Sequence, residues 1–268
     1  MRVHFERSVR ILVIIALLGA ARTTLRAARQ EDAAKTMTEG AGLLEPPPPD
    51  LTGDNVIAKV LDHNTLQNAR LQQYSAVRTY ELRNTKGKVA AQAILQVDYR
   101  APSTKTFHKT SENGSEVVRH LVFDRLISAE TETASGREHH DSAITTANYG
   151  FTLLGEEDIG PYHCLVLETT PKRNDKYLFE GRIWVDAQDF ALVRIAGHPA
   201  KKLSFWIHRV DFVREYQKID GFWLPNRDET FVDVRFYGER IFTIEHQHYS
   251  INDGETVEKD AQGTSGDN

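Results

Sequence analysis

Period-two alternation of apolar and polar side chains runs through much of residues 73 to 250, and it constrains this chain more than any other feature. The clearest instance lies between Tyr177 and Phe212. In Tyr177-Leu-Phe-Glu-Gly-Arg-Ile-Trp-Val-Asp186, Phe179, Ile183 and Val185 fall on one side of an extended strand. Glu180, Arg182 and Asp186 fall on the other, with Trp184 among them. Side chains of a strand point alternately to its two faces, so this pattern predicts a half-buried antiparallel strand. Asp186 to Asp189 is turn-rich, and Phe190, Leu192 and Arg194 then alternate with Ala191, Val193 and Ile195. The two runs predict one hairpin.

The same period predicts strands over Tyr74 to Leu82, Val89 to Tyr99 and Lys105 to Thr110. Further strands are expected near Leu153 to Ile159, over Pro161 to Thr169, Phe205 to Tyr216, Glu229 to Tyr237 and Arg240 to Tyr249. Turn residues stand between them: Asn84 to Lys88, Asn113-Gly114 and Gly238. Asp220 to Asn226 is expected to be a connection with aromatic cover. Val117 to Phe123 suits a strand or a short helix, and Ala143 to Phe151 a short helical piece. Glu130 to Asp141 is nearly free of apolar residues and is expected to be a loop or an irregular helix end.

One segment breaks the pattern before it begins. Val56, Ile57, Val60 and Leu61 recur at helical spacing, Leu66 and Ala69 broaden the stripe, and Asp54 or Thr52 can cap its start. A helix over 54–72 must bury that stripe, and the strands downstream offer the surface.

The ends differ in kind. Arg2, Arg7 and Arg10, the apolar run Ile11 to Leu18 and the small residues after it predict a signal peptide over 1–27. The run is short for a membrane span, although an uncleaved N-terminal anchor is the alternative. Residues 28–51 are polar, then proline-rich (Glu45-Pro-Pro-Pro-Pro-Asp50), and are expected to be a disordered leader. Residues 251–268 read as a disordered acidic tail, leaving 52–250 as the folded domain. The chain carries a net charge of -5, and residues 1–27 hold five Arg and one Glu, so removing them would leave about -9. That balance argues against gripping nucleic acid, which takes a basic stripe. The single cysteine, Cys164, rules out an internal disulfide and a cysteine-cluster metal site.

Chemistry is sparse. There is no glycine-rich phosphate loop, no G-x-S-x-G elbow and no H-E-x-x-H helix. His139 and His140 are adjacent and suit no single face. His246 and His248 would share a strand face, with Glu168 or Asp233 as further donors, but no third ligand is fixed. No catalytic residue, metal or cofactor is therefore expected.

The phrases Glu180-Gly-Arg-Ile-Trp-Val-Asp186 and Phe190-Ala-Leu-Val-Arg-Ile195 resemble the bacterial outer-membrane lipoprotein-sorting proteins and their relatives. That group includes the periplasmic lipoprotein carrier, its outer-membrane receptor and regulators of the envelope stress response. Asp220-Gly-Phe-Trp-Leu-Pro225 resembles the group's Asp-Gly-aromatic phrase, and the likeness spans roughly 52–250. It implies an α+β fold, a strongly curved antiparallel sheet (an incomplete β-barrel) wrapping one or more helices, around an apolar cavity. It also implies a periplasmic or secreted, non-enzymatic carrier for lipid or lipoprotein acyl chains. The alternative is an envelope structural or regulatory module that binds other proteins, with peripheral or transient membrane contact at most. On that reading the cavity is lined by Ile183, Val185, Phe205, Ile207, Phe231 and Ile244, with Trp184, Trp206 and Trp223 at its rim. Phe179, Phe212, Phe236 and Phe242 are further candidates for the concave side. The same residues suit ordinary core equally well, and both readings stand on sequence.

Overall fold

The computed structural model describes residues 44–124, 126–127, 142–236 and 238–252. The expected signal peptide, the leader up to residue 43, the Glu130 to Asp141 segment with His139 and His140, and the tail from residue 253 lie outside the described residues.

Helix α1 spans Gly53–Arg70, and ten strands follow: β1 (Gln73–Asn84), β2 (Val89–Arg100), β3 (Thr104–Gly114), β4 (Tyr149–Ile159), β5 (Tyr162–Pro171), β6 (Phe179–Asp186), β7 (Leu192–Pro199), β8 (Ile207–Ile219), β9 (Phe222–Val234) and β10 (Gly238–Ile251). Between β3 and β4 a single helical turn, α2 (Glu116–Val118), runs into a π-helical segment, Arg119–Asp124. All ten strands form one antiparallel sheet, in the order β3-β2-β1-β10-β9-β8-β7-β6-β5-β4. Strands adjacent in sequence pair, with β3 and β4 the exception, and the first strand pairs with the last, with Tyr74 opposite Ile251 and Asn84 opposite Arg240.

The expected barrel curvature is not what forms. The sheet is neither closed nor strongly curled, and β3 and β4 stand at opposite edges with no pairing between them. The apolar face is covered from two sides instead of being wrapped around one helix. Val56, Ile57 and Val60 of α1 enter the largest core cluster with residues of β5 to β9. Val122, Phe123 and Leu126 cover a second cluster on β1, β2 and β10. A third gathers Leu71, Tyr74, Tyr99, Phe222 and Leu224. With separate lids over separate halves, burying this face requires no curl. The opposite face is polar, and Arg83, Arg227, Glu229 and Glu245 tie three neighbouring strands together across it, with nitrogen–oxygen distances of 2.7 to 3.6 Å.

Local chemistry fixes the turns. Asp220 and Gly221 both have positive φ, 50° and 78°, so they make a two-residue hairpin turn. Phe222 to Asn226 is therefore strand rather than connection. In the β6–β7 turn the Asp186 carboxylate accepts from the backbone of Gln188 and Asp189, and Phe190 takes a positive φ. Gly114 ends β3, and Ser115 caps α2, so Asn113-Gly114 turns the chain into a helix rather than another strand. Residues 142–148 are turns, not the expected helical piece. The Asn148 side chain donates to the Ala143 carbonyl and closes them, and Tyr149 then starts β4 buried against Phe179.

α1 sits tightly on the sheet. Thr52 caps it by accepting from Asn55. A Cβ on Gly53 would stand 2.4 Å from the Phe151 carbonyl oxygen, so only glycine lets the helix start this close to β4. The other end is held by one side chain. Gln67 donates to the Trp223 carbonyl at 3.0 Å and accepts from the Trp223 amide at 2.6 Å. β10 pairs with β9 only from Arg227 onward, so the start of β9 lacks a neighbour on that side. Gln67 and the Tyr249 hydroxyl, which donates to the Pro225 carbonyl at 2.8 Å, supply the missing partners.

Candidate functional site

The nine residues expected to line or rim a cavity are not brought to one place. Ile183, Val185, Ile207, Trp184 and Trp223 are buried in the cluster under α1, where they make ordinary side-chain contacts. Ile244 is buried in the second cluster with Phe242. Phe231 is half-buried on the other face, opposite Asp211 and Ile241. Phe205 is 71% exposed and Trp206 44% exposed. Phe179 and Phe212 pack edge to face, 5.5 Å between centroids, inside the main cluster.

Between α1 and the β8–β9 hairpin, Asn64, Gln67, Tyr216 and Trp223 border a cleft of about 30 Å³. That volume suits about one water molecule. Pockets that bury ligands of drug size run to several hundred Å³.

Beside this cleft the hairpin turn is knotted to the sheet. The Trp223 indole donates to Asp189 at 2.8 Å, and the Lys218 ammonium lies 2.6 Å from the same carboxylate. Tyr162 packs on the Trp223 ring at 4.7 Å and its hydroxyl accepts from the Lys218 amide. Partial burial raises the Asp189 carboxyl, but the bonds from Lys218 and Trp223 outweigh it and hold the group below its ordinary value. The Asp189 partner pushes Lys218 upward. The family-like phrase at 220–225 thus acts structurally: it turns the chain, anchors α1 through a peptide group and pins the β6–β7 turn through an indole.

A second polar constellation crosses the apolar face. Arg78 on β1, His246 on β10, Asp228 on β9 and Arg214 on β8 are all buried. Asp228 is ion-paired to Arg214 and receives His246 Nε2 at 3.1 Å. Burial raises the Asp228 carboxyl, yet Arg214 and His246 hold it below the usual range. On β1 this row lies between Ala76 and Tyr80, which belong to different clusters, so it helps divide that part of the face, whereas Phe212 and Tyr216 beside it on β8 share one cluster. His248 does not join His246. A positive φ of 53° at His248 breaks the alternation and leaves it exposed. Glu168 is five strands away. Among the described residues no three His, Cys, Asp or Glu are grouped to hold a metal ion. Cys164 is buried, and that burial pushes its thiol up to about 12, leaving it unreactive at neutral pH.

The surface carries an aromatic cluster instead. Phe205 and Trp206 meet at 5.4 Å, and Trp206 and Phe236 at 6.2 Å. The Arg235 guanidinium stands 4.3 Å from the Phe205 centroid, its amide donates to the Trp206 carbonyl and its Nε donates to His208. Phe236 is 70% exposed. The sequence pattern put it in a strand over Glu229 to Tyr237 and on the concave side, but β9 ends at Val234 and leaves it on the connection to β10.

No protein-family model and no curated protein matches this chain. Among solved structures, it is similar to a DUF1329 family protein from Desulfovibrio piger, at 15% identity and TM-score 0.38, covering 75% of this chain and 95% of the other. It is also similar to a LolA superfamily protein from Nitrosomonas europaea, at 12% identity and TM-score 0.38, covering 76% and 95%. A putative outer membrane lipoprotein-sorting protein domain from Vibrio parahaemolyticus matches at 13% identity and TM-score 0.36, covering 74% and 94%.

Proposed function

We propose that this chain is an exported, non-catalytic binding module of the cell envelope that meets its partner on its outer surface. One observation carries the reading: Ile183, Val185 and Ile207, the residues best suited to line an interior site, are buried against α1 and each other. A side chain already out of water gains little from a ligand, because removal of apolar area from water is the source of the affinity. A second reading, a carrier of lipid or lipoprotein acyl chains, draws support from the length of the apolar face. It requires the cluster around Ile183 to part from the one around Phe242 and Ile244.

Stability against ligand content separates the two. Under the first reading Ile183→Ala costs about 2–5 kcal/mol in urea denaturation, and Phe205→Ala costs roughly 0.5 kcal/mol or less because its ring is exposed. Mass spectrometry of organic extracts from the purified protein then finds no stoichiometric acyl ligand. An acyl ligand present at one per chain, and lost in Ile183→Ala while the fold persists, would establish the carrier instead.

A further inference from the structure

The register sorts the strand connections into two ends, and the ends differ in charge. At one end lie the short connections 85–88, 172–178, 200–206 and 235–236. They contain eight Lys and Arg against one Asp. At the other end lie 101–103, 160–161, 187–191 and 220–221, with two Asp and no base. The β3–β4 connection leaves and returns at this end too, and its described part adds Arg119 against Glu116 and Asp124, while Asp54 stands in the first turn of α1. In a chain of net charge -5, so basic a rim sets up a local field opposed to that of the whole.

The exposed apolar side chains collect at the same end. Phe205, Trp206 and Phe236 stand on two of its connections, and Val89 and Val117 flank the β1–β2 turn and the end of β3. Of the large apolar residues that are exposed among the described residues, only Leu66, on α1, lies elsewhere. The three rings do not sit in a groove. They stand on tips, with Lys201 and Lys202 in the same loop and Arg235 between the rings.

We propose that this rim docks the protein peripherally on a membrane surface rich in anionic phospholipid. Rings on projecting tips enter the boundary between headgroups and acyl chains, where an indole is stable with one edge wet and the other dry. Lysines around them meet the lipid phosphates. A protein partner would bring anchors of its own and need a pocket to receive them, and the rim offers tips instead. The proposal goes beyond the binding-module reading and is independent of whether an acyl chain occupies the interior.

The test uses the full chain with vesicles of phosphatidylglycerol and phosphatidylcholine in equal parts, and with phosphatidylcholine alone. Trp206 is the built-in reporter, since Trp184 and Trp223 are buried. Co-sedimentation with the anionic vesicles, a blue shift of tryptophan emission lost in Trp206→Phe, and weakening by high salt are expected. Lys201→Ala with Lys202→Ala should lower the partition about tenfold or more. Phe205→Ser with Phe236→Ser should lower it comparably, with melting temperature unchanged because both rings are exposed. Comparing variants within the full chain cancels any binding through residues 11–18. Partition onto anionic vesicles that neither pair changes would overturn the proposal, as would absence of partition or equal binding to phosphatidylcholine alone. Self-association that shields Trp206 without lipid, or an acidic protein that competes the vesicles away, would reassign the rim.

Discussion

Asp228 is the residue on which the buried polar row depends. Its carboxylate faces Arg214 on the neighbouring strand and His246 on the other side, and both partners are buried. An ion pair this deep contributes little net stability when intact, but removing one partner leaves the other charge uncompensated. Asp228→Asn keeps the shape and removes the charge. It is expected to cost about 3–5 kcal/mol, read as a lower urea midpoint at unchanged slope. Asp189 and Lys218 show the same logic at the surface. The Asp189 carboxyl is held low, so its contribution is present above the ordinary value of 3.8 and fades as pH falls through the depressed one. Lys218 is held high, so its contribution is complete below 10.5 and fades as pH rises through the raised value. Relative to Asp189→Asn, the native chain should therefore be more stable between about pH 5 and 10, with the difference shrinking in acid below the carboxylate range and again in alkali. Thermal melts of the two proteins across pH measure it.

At the scale of elements, α1 is held at its two ends by unlike means: backbone contact at Gly53 and an amide mimicking a strand at Gln67. Gln67→Ala leaves both polar groups of the Trp223 peptide without their buried partners. The expected cost is about 1–3 kcal/mol. Hydrogen exchange should show faster opening at the Trp223 amide and the last turn of α1, while β1 and β2 keep their protection. The sheet edges are also treated differently. Glu45 bridges Glu156 with backbone bonds of 3.0 and 2.9 Å, so the start of the proline-rich segment covers part of β4. Among the described residues no strand or bridge pairs with the outer side of β3, which carries Lys105, Lys109 and Glu112 along its length, charges that discourage another chain from adding to it.

Across the whole molecule, the sheet has one apolar face under two lids, one salt-bridged face, one end with few charges and one basic, aromatic end. The polar face and the two ends follow from strand direction alone: with every neighbour antiparallel, alternate connections collect at the same end. Four connections separated by tens of residues, each unremarkable by itself, thereby become one rim. The vesicle experiment addresses that scale, and the interior substitutions address the packed face.

Alternation, turn residues and helical spacing in the sequence determined the strands and α1, because each is decided by groups a few residues apart. The Asp186 to Asp189 turn and the burial of Ile183 and Val185 were legible for that reason. Helix and turn at 116–148 were not, since short apolar runs there have no clear period. Period-two reading put Phe205 and Trp206 at the start of one strand and Phe236 near the end of another, but all three stand on connections, where no strand direction dictates burial. The tertiary structure alone decided that β1 pairs with β10, that the sheet stays open, and that α1 and the 116–124 segment cover different clusters. Those outcomes depend on pairings across as many as 177 residues, Tyr74 with Ile251, and on bulges at places such as Trp184/Val185 and Glu215/Tyr216. Each bulge changes twist and bend locally, so curvature is set by the sum of contacts over the sheet and not by the pattern of any one strand.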